Sequence, residues 1–453
     1  MGIFHAYDIR GIYGEELTVA HARRIGFFLP RLLKAKRVLV GRDARASSPA
    51  LHQALCEGIC MAGADVTCLG LVTTPMVYFF TARLGFDASV CITASHNPAC
   101  YNGFKISTTD SRPVGYQSGL GQLETWVMDE QTFPTEPHDQ PGVLAEFDGR
   151  RQYLDFVAPF ASAASDTSLA IDTANGMAGL LARDVFGETH EYLFEEIDCS
   201  FPNHPPDPSN PDTLQALREA VVGQGRDLGI VFDGDADRVM FIDNEGRFVP
   251  PDLILAVLGY HFHLQGEPGL RILQDIRTSR SVANHLEPLG AEMHTWKVGR
   301  AFAAIRLREL DGVVGGELAG HYYFRDFAYS DSAMLAAARV VDVLAHEKRN
   351  GRSFSELIDQ IRQYHGSGEI NFALEQKSAA IQAVHDHFVT DEPPNAVYDF
   401  DGYRLEFDDW WFVIRLSNTE PLLRLVVEAR EPDVLEQRTA QIRSLIEPFL
   451  ATH

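Results

Sequence analysis

The sequence predicts an α/β protein built from three similar α/β modules in series, followed by a smaller α+β domain. From Lys36 onwards, short apolar runs alternate with helical patterns: KRVLVG is typical of a strand, Pro49 to Ala62 of a helix, and ADVTCLG of the next strand. The rhythm returns at SLAIDTANGMAG with DLGIVFDGD, and at GLRILQD with LDGVVGGE. It indicates βαβ units and largely parallel sheets. A length of 453 residues agrees with three or four domains.

The pattern changes after Ile361. GSGEINFAL, YRLEFDD and WWFVIRL predict short strands, and a closing helix is expected from about Glu431 to Phe449. A proline-rich segment at 131–142 marks a boundary between the first two modules. We therefore expect four domains, at residues 1–142, 143–250, 251–364 and 365–453.

Composition and charge exclude several classes of function. Lys plus Arg number 39 and Asp plus Glu 63, which gives a formal charge of −24 that repels nucleic acid and acidic membrane surfaces. There is no run of about twenty apolar residues to span a bilayer. We therefore expect a cytoplasmic protein that binds neither nucleic acid nor membrane, as a monomer or a homodimer. An acidic protein can still bind a small anion if its basic side chains gather in one cleft.

The six cysteines contain no C-x-x-C pair, unlike a disulfide framework or a zinc site. Buried free thiols in a reducing cytosol fit this pattern best. Cys56 and Cys60 lie four residues apart on a predicted helix, but with no His or Cys partner expected nearby, core packing is favoured over metal binding.

The first candidate site follows the strand ASVCIT, in the loop TASHNP that contains Ser95 and His96. In parallel sheets the ligand crevice lies at the carboxyl ends of the strands, so a serine placed there is a candidate nucleophile. A turn serine that caps a helix is the alternative, and the residues of this loop alone leave both possibilities open.

The second candidate site is the loop DGDADR, which follows the strand DLGIVF and carries Asp233, Asp235 and Asp237. Three carboxylates at alternate positions repel one another unless a cation is present, so a hard divalent ion is indicated. An EF-hand is excluded, because its sixth and twelfth positions hold Arg238 and Asn244 instead of Gly and Glu. Magnesium fits better than a solvated acidic turn.

Two further loops carry polar side chains suited to a phosphorylated sugar. GGELAGH at 315–321 offers Glu317 and His321 for hydrogen bonds with hydroxyls, although a plain connecting loop fits equally well. RLSNTEP at 415–421, followed by Arg424, combines guanidinium groups with small polar side chains and suits a phosphate. A solvated polar loop is the alternative for this segment.

Together, TASHNP, DGDADR, GGELAGH and RLSNTEP occur in the order and spacing of the α-D-phosphohexomutase family, the phosphomannomutases and phosphoglucomutases. The resemblance spans nearly the whole chain, beginning at AYDIRG (6–11) and including GRDAR (41–45). The run YYFRDFAY (322–329) looks particularly like bacterial phosphomannomutases. The family implies four domains around a central cleft, Mg²⁺ as cofactor, a hexose 1,6-bisphosphate activator, and interconversion of hexose 6-phosphate and hexose 1-phosphate, with mannose favoured and glucose second.

The resemblance also implies residue roles. Ser95 would carry the phosphoryl group, and Arg238 would neutralise it. Mg²⁺ would be held by Asp233, Asp235, Asp237 and an oxygen on Ser95. Glu317 would form hydrogen bonds with sugar hydroxyls. The phosphate that does not react would be held by Arg415, Ser417, Asn418 and Thr419. Further substrate-binding candidates are Tyr7, Arg10, Arg277, Lys297, Arg300, His321 and Arg424. As general base we expect Lys105, with a pKa lowered by surrounding cations, and His96 second.

Two departures from the family pattern affect the predicted substrate. The sugar loop usually reads Glu-x-Ser, but Ala319 stands at its third position; Arg300 follows Gly299 where a histidine is common. A glucosamine-phosphate mutase and a noncatalytic sugar-phosphate-binding homologue are the alternative functions. A haloacid-dehalogenase-like phosphatase, suggested by DFDG at 399–402, is excluded because Tyr403 replaces the expected Thr or Val.

Overall fold

The computed structural model describes residues 2–129, 133, 138–417 and 422–450, which form four β-sheets with associated helices. The first unit contains, in chain order, β1 (Ile9–Ile12), α1 (Val19–Leu33), β2 (Arg37–Arg42), α2 (Ser48–Met61), β3 (Asp65–Leu71), α3 (Thr74–Arg83), β4 (Ala88–Ile92), β5 (Tyr101–Thr108), β6 (Arg112–Pro113), α4 (Gly121–Met128) and β7 (Leu144–Glu146). The strand order is β1-β5-β4-β2-β3-β7, with β6 paired to β5.

The next two units repeat this layout with five-stranded sheets. The second unit contains α5 (Arg150–Val157), β8 (Leu169–Asp172), α6 (Ala182–Phe186), β9 (Glu191–Leu193), α7 (Gln215–Gln224), β10 (Leu228–Phe232), β11 (Val239–Asp243) and β12 (Phe248–Val249). The third contains α8 (Pro251–Leu264), β13 (Arg271–Asp275), α9 (Arg280–Leu286), β14 (Glu292–Trp296), α10 (Arg300–Leu310), β15 (Val314–Gly316), β16 (Tyr322–Phe324), β17 (Ser330–Asp331), α11 (Ala333–Arg349) and α12 (Phe354–Ile361).

The fourth unit is the smaller α+β domain expected at the C-terminus. It contains β18 (His365–Gly366), β19 (Ile370–Phe372), α13 (Lys377–Asp391), β20 (Ala396–Tyr398), β21 (Tyr403–Glu406), β22 (Trp410–Leu416), β23 (Leu423–Ala429) and α14 (Pro432–Ile446). All of its strand pairs are antiparallel among the described residues. Phe388, Trp410 and Phe412 pack in its own core, on the side of α13.

The expectation of largely parallel sheets needs correction, because each of the first three sheets is mixed. In the first sheet β2, β3, β4 and β7 run parallel, whereas β5 is antiparallel to both β4 and β1. The second and third sheets likewise join a parallel half to an antiparallel half at β10 and at β15. Two neighbouring strands joined by a short connection, such as β10 and β11, can pair only in the antiparallel direction, because a parallel pair needs a long crossover connection.

One expected boundary also shifts. Strand β7 pairs with β3, so the first sheet continues to Glu146 and the expected boundary after residue 142 falls just before its last strand. The boundaries at 250 and 364 coincide with the end of the second sheet at Val249 and the start of the fourth at His365. Tertiary pairing, which the proline-rich composition at 131–142 could not reveal, determines the first limit.

One large hydrophobic core joins the first three units. Phe79 and Phe80 of α3, Tyr153 of α5 and Phe327 of the third unit pack together within it. This shared core fixes the strand ends of the three sheets relative to one another, which is what the site requires. None of the helices within the described ranges is both long and apolar enough to cross a membrane.

Helices α1 and α2 approach each other through two glycines. A Cβ atom on Gly58 would lie 2.1 Å from the carbonyl oxygen of Arg23, and one on Gly26 would lie 2.1 Å from that of Leu55. Both neighbours are helix backbone and cannot move aside cheaply. The close approach of the two helices therefore requires glycine at both positions.

We expect Gly58→Ala to destabilise the first unit by at least about 2 kcal/mol, because the added methyl group forces the helices apart. Gly223→Ala is the matched control: Gly223 is also helical, its Cβ would meet no atom within 4 Å, and the change should stabilise by up to about 1 kcal/mol. Calorimetric unfolding of both variants measures the difference. Equal effects would contradict the packing argument.

Candidate active site

The candidate residues lie in or beside four chain connections, one in each unit. Each connects neighbouring antiparallel strands: β4 to β5, β10 to β11, β15 to β16, and β22 to β23. Three of these loops follow the strand at which the parallel half of a sheet ends. Since the shared core aligns the first three sheets, their loops meet at one place.

Ser95 has a strained and buried position in the first loop. Its φ angle is +50°, in the left-handed region that non-glycine residues adopt rarely, and the residue is only 4% exposed. Its N–H donates to Thr93 Oγ1 at 2.9 Å. Backbone strain of this kind persists only where surrounding contacts enforce it, and it is common at functional sites.

Arg45 enforces the shape of the Ser95 loop. Its guanidinium group is fully buried and donates to the carbonyl oxygens of Ser95, Asn97, Pro98 and Tyr101 at 2.7–3.0 Å. The carboxylate of Asp43 balances its charge at 3.1 Å. The sequence shows Arg45 within the motif GRDAR but gives no local sign that one guanidinium organises a loop fifty residues away.

The second loop brings Asp233 into contact with Ser95. The Ser95 hydroxyl donates to Asp233 Oδ2 at 2.7 Å, and Arg238 Nη2 donates to Ser95 Oγ at 3.2 Å. Arg238 Nε also donates to Asp233 Oδ2 at 3.0 Å. A Cβ atom on Gly234 would lie 2.5 Å from the Ser95 carbonyl oxygen, so this close approach requires glycine. The serine thus lies between a carboxylate and a guanidinium group.

Asp233, Asp235 and Asp237 form one buried cluster whose carboxylate oxygens lie within 4.8 Å of one another. Burial and the charges of Asp235 and Asp237 raise the pKa of Asp233 to about 7. Thr74 donates its hydroxyl to Asp235 Oδ2 at 2.5 Å. The Oδ1 atoms of Asp235 and Asp237 have no hydrogen-bond partner among the described residues. Unpaired buried carboxylate oxygens suit a hard cation.

The environment of Lys105 is the opposite of the one expected. Its ammonium group donates to Asp235 Oδ2 at 2.6 Å and also to Asp237 Oδ2. Burial alone lowers the pKa of Lys105, but these two carboxylates raise it well above its ordinary value. The expected lowering by cations is therefore wrong for this arrangement, because acidic side chains are the nearest charged neighbours of the lysine.

His96, the second candidate base, has the converse environment. Burial, followed by the charges of Arg238 and Arg10, holds the pKa of His96 well below its ordinary value. Its Nδ1 atom is buried and, in the part of the chain that the structure describes, has no hydrogen-bond partner. At neutral pH the imidazole is uncharged, as a proton acceptor must be.

The third loop joins the cluster through His321. Its Nδ1 atom lies 2.8 Å from Asp331 Oδ2 and 3.9 Å from Asp237 Oδ1. Burial lowers the pKa of His321, but the charges of Asp237 and Asp331 raise it above its ordinary value. Glu317 accepts the backbone N–H of Gly299 at 2.7 Å.

The first unit meets the third unit beside this loop. The Tyr7 hydroxyl donates to the carbonyl oxygen of Val298 at 3.1 Å, and the Lys297 ammonium lies 5.7 Å from the Phe302 ring centre. Gly299 has a φ of +124°, and a Cβ there would lie 2.5 Å from the Tyr7 ring. Tyr7 and Lys297 therefore lie close to Gly299, and the backbone N–H of Gly299 donates to Glu317.

Arg300 is held in place by contacts with a carboxylate and an aromatic ring. Its Nε donates to Asp331 at 2.9 Å, and its guanidinium carbon lies 3.9 Å from the centre of the Tyr78 ring. The side chain is buried between the first and third units. Its Nη2 atom is buried and has no hydrogen-bond partner among the described residues, so the substrate-binding role expected for Arg300 stays a prediction.

The cations of the fourth loop are paired with carboxylates. Arg415 lies 3.2 Å from Asp401 Oδ1, while Glu369 lies 3.2 Å from Arg277 and 2.9 Å from Arg424. The Ser417 N–H donates to the carbonyl oxygen of Leu422 at 2.9 Å. Asn418 and Thr419, the other residues expected to hold phosphate, lie outside the described residues. Glu369 was missed from the sequence, which shows no motif around it.

A series of hydrogen bonds and ion pairs leads from Ser95 to Arg424 on β23. They pass from Ser95 through Asp233 and its own loop to Asp237, from there to His321, and through the third loop to the N–H of Leu318, which Asp275 accepts at 2.9 Å. Asp275 binds Arg277 at 2.7 Å, and Glu369 then joins Arg277 to Arg424. Arg10, at the other end, donates to Asn97 and Asp8 beside the Ser95 loop.

Comparison with known proteins identifies the same four units. Models of the phosphoglucomutase/phosphomannomutase alpha/beta/alpha domains I, II and III match residues 1–118, 151–246 and 250–364, and the model of the C-terminal domain matches residues 369–445. A phosphomannomutase of Salmonella montevideo is 36% identical over 455 residues, covering 98% of each chain.

Two further matches extend this result. A Xanthomonas campestris protein named as phosphohexose mutases is 36% identical over 453 residues, again covering 98% of each chain. A phosphoglucomutase/phosphomannomutase family protein of Burkholderia thailandensis has a crystal structure that superposes with a TM-score of 0.86, at 29% identity, covering 98% of this chain and 97% of that one. With matches to all four domain models and relatives that align along its whole length, this chain belongs to the phosphoglucomutase/phosphomannomutase family of enzymes.

Proposed function

We propose that this protein interconverts hexose 6-phosphate and hexose 1-phosphate through a phosphoserine at Ser95 and a bisphosphorylated sugar. The observation that carries the proposal is the placement of the Ser95 hydroxyl, 2.7 Å from Asp233 and 3.2 Å from Arg238, beside a buried cluster of carboxylates. A turn serine needs none of these partners. A noncatalytic homologue would not need to keep serine, carboxylates and arginine together.

Mg²⁺ is the cofactor that the cluster fits. The donors are all carboxylate or hydroxyl oxygens, and the unpaired Oδ1 atoms of Asp235 and Asp237 can complete the coordination of a hard cation. Asp233, Asp235, Asp237 and an oxygen on Ser95 would hold it. When bound, Mg²⁺ would neutralise charge that develops on the transferred phosphoryl group.

The chain's own residues supply positioning and charge at both ends of the substrate. Arg238 faces Ser95 and can neutralise phosphoryl oxygens there, which is the main requirement of a loose transition state. Arg415, Ser417, Asn418, Thr419 and Arg424 would hold the other phosphate. Asp401 and Glu369 hold Arg415 and Arg424 in position before the phosphate binds.

The catalytic cycle follows from one reusable serine. The phosphate on Ser95 passes to the free hydroxyl of the sugar, the bisphosphate turns over in the site, and its other phosphate returns to Ser95. Hexose 1,6-bisphosphate activates by loading the serine. Tyr7, Arg10, Lys297, Glu317 and His321 are proposed to contact the sugar phosphate. His96, which follows Ser95 in the first loop, is the candidate for the group that accepts the hydroxyl proton, because its lowered pKa leaves the imidazole uncharged whereas the raised pKa of Lys105 keeps that ammonium group protonated.

Mannose phosphate is the proposed preferred substrate, with glucose phosphate second. The full-length similarity to proteins named phosphomannomutase supports this order. Ala319 removes one hydroxyl from the sugar loop, so a glucosamine phosphate is the competing substrate. We further propose that the protein acts in the cytoplasm, as a monomer or a homodimer.

Changing Ser95 to Ala should lower kcat at least about 1,000-fold, roughly 4 kcal/mol in activation free energy, because no other group can carry the phosphate. The assay couples hexose 6-phosphate formation to a dehydrogenase, with the bisphosphate activator present. Ser111→Ala is the control, since Ser111 is also buried but its hydroxyl donates to the Tyr78 carbonyl oxygen, away from the carboxylate cluster. Turnover of Ser95→Ala near the wild-type rate would exclude the carrier role.

The substrate order is measured as kcat/KM for the 1-phosphates of mannose, glucose and glucosamine under identical conditions. We expect mannose to give the highest value, glucose a value within about 100-fold of it, and glucosamine the lowest, in the order that the full-length similarity to proteins named phosphomannomutase supports. A highest value for glucosamine would support the alternative mutase. No turnover with any sugar would support a binding protein.

Asp235→Asn keeps the shape of the cluster and removes one negative charge. We expect kcat to fall at least about tenfold at fixed Mg²⁺, and the Mg²⁺ concentration for half-maximal activity to rise, because the site loses a charged ligand. The exposed Asp212 provides the control variant Asp212→Asn. An unchanged Mg²⁺ dependence would show that this loop does not bind the metal.

A further inference from the structure

A second group of metal-ligand side chains lies outside the active site, between α2 and β3. His52 Nε2 lies 3.7 Å from Cys56 Sγ, and Cys56 Sγ lies 3.8 Å from Cys68 Sγ. The three ligand atoms all lie within 4.8 Å of one another. His52 and Cys56 are one turn apart on the helix, so they share a face, and β3 brings Cys68 to that face.

This arrangement corrects the expectation that Cys56 has no His or Cys partner nearby. His52 precedes it by four residues on the same helix, a spacing visible in the sequence but overlooked. Cys68 lies on the following strand, and only the packing of α2 on β3 brings it close. All six cysteines are free thiols, and Cys56 with 1% exposure and Cys68 with 6% are buried.

Two of the three distances between ligand atoms match those of a tetrahedral zinc site. Zinc binds thiolate sulfur at about 2.3 Å and imidazole nitrogen at about 2.0–2.1 Å, so in a tetrahedron two sulfurs lie about 3.8 Å apart and a sulfur lies about 3.6 Å from a nitrogen. The observed separations are 3.8 Å and 3.7 Å. A disulfide needs a separation of about 2.05 Å, so the same thiols would have to move much closer to oxidise.

The surroundings provide access and room for a fourth ligand. A cavity of about 390 Å³ is lined by His52, Gln53, Cys56, Glu57, Cys60 and Leu144. Cys60 lies one turn beyond Cys56 and is partly exposed.

We propose that His52, Cys56 and Cys68 form a zinc-binding site, with the fourth position taken by Cys60 or by water. Thiolate and imidazole ligands favour Zn²⁺ over Mg²⁺, whereas the carboxylates of the active site favour Mg²⁺. The two sites share no residue. The zinc site ties α2 to β3 within the first unit and does not depend on the proposed mutase function.

The test uses the full-length protein, purified under reducing conditions, stripped of metal and then equilibrated with excess Mg²⁺ to occupy the carboxylates. Zn²⁺ is added in small excess, and the unbound Zn²⁺ is removed by gel filtration. The zinc that stays with the protein is then measured by elemental analysis. We expect about one zinc per wild-type chain and a loss of at least about tenfold in affinity for Cys56→Ser and for Cys68→Ser. Cys199→Ser, which removes another buried thiol, should retain zinc.

Cobalt provides a second readout that identifies the ligands. Co²⁺ bound by Cys56 and Cys68 should give an intense near-ultraviolet thiolate-to-metal absorption, which carboxylate ligands cannot produce. His52→Ala, at a partly exposed helix position, serves if the cysteine variants fold poorly, and should weaken zinc binding without changing mutase turnover. Absence of retained zinc in the wild type, or equal retention in all variants, would overturn the proposal and leave these thiols as core residues.

Discussion

The repulsion among three buried carboxylates is the constraint on which the site depends. Asp233, Asp235 and Asp237 come from one loop and lie within 4.8 Å of one another, so their charge must be balanced by cations. Lys105 comes from the first unit, Arg238 from the second and His321 from the third. Balancing this charge therefore holds the ends of three sheets together, and it places Ser95 beside the same carboxylates.

The same principle explains how a protein with a formal charge of −24 can bind phosphate. Its buried guanidinium groups are each held by carboxylates: Arg45 by Asp43, Arg277 by Asp275 and Glu369, and Arg415 by Asp401. Such pairs are expensive to bury unless their geometry is good. They keep the cations fixed in position, so that no flexible side chain has to be ordered before an anion can bind.

The sequence predicts the fold and the four loops because both depend on local pattern. Alternating strands and helices identify the modules, and polar residues after strands identify the loops. Thr74 and Glu369 were missed because their partners lie far away in the sequence and their neighbours carry no special pattern. The motif GRDAR includes Arg45, but it does not show that this side chain binds the Ser95 loop. The expected direction of the Lys105 pKa shift was wrong for a related reason. A motif identifies the residues of a site, but it does not show which of them lie next to one another.

Arg300 and Cys56 illustrate the same limit at different places. A cation at the position of a family histidine suggests a phosphate contact, but its guanidinium stacks on Tyr78 from another unit. Helix periodicity relates Cys56 to His52, but only the packing of α2 on β3 adds Cys68. In both cases side chains from separate elements decide the chemistry, and their meeting is a property of the folded chain.

The central claim is that Ser95 alternates between a phosphorylated and a free hydroxyl during turnover. Peptide mass spectrometry after incubation with hexose 1,6-bisphosphate and Mg²⁺ should find one added phosphoryl group, on Ser95. A chase with excess hexose 1-phosphate should transfer that phosphate to sugar. The phosphate that left Ser95 should then be found in the bisphosphate and in hexose 6-phosphate. Turnover of hexose phosphate without any phosphate on Ser95 would contradict the carrier role. A phosphate on Ser95 that does not exchange during the chase would contradict it as well.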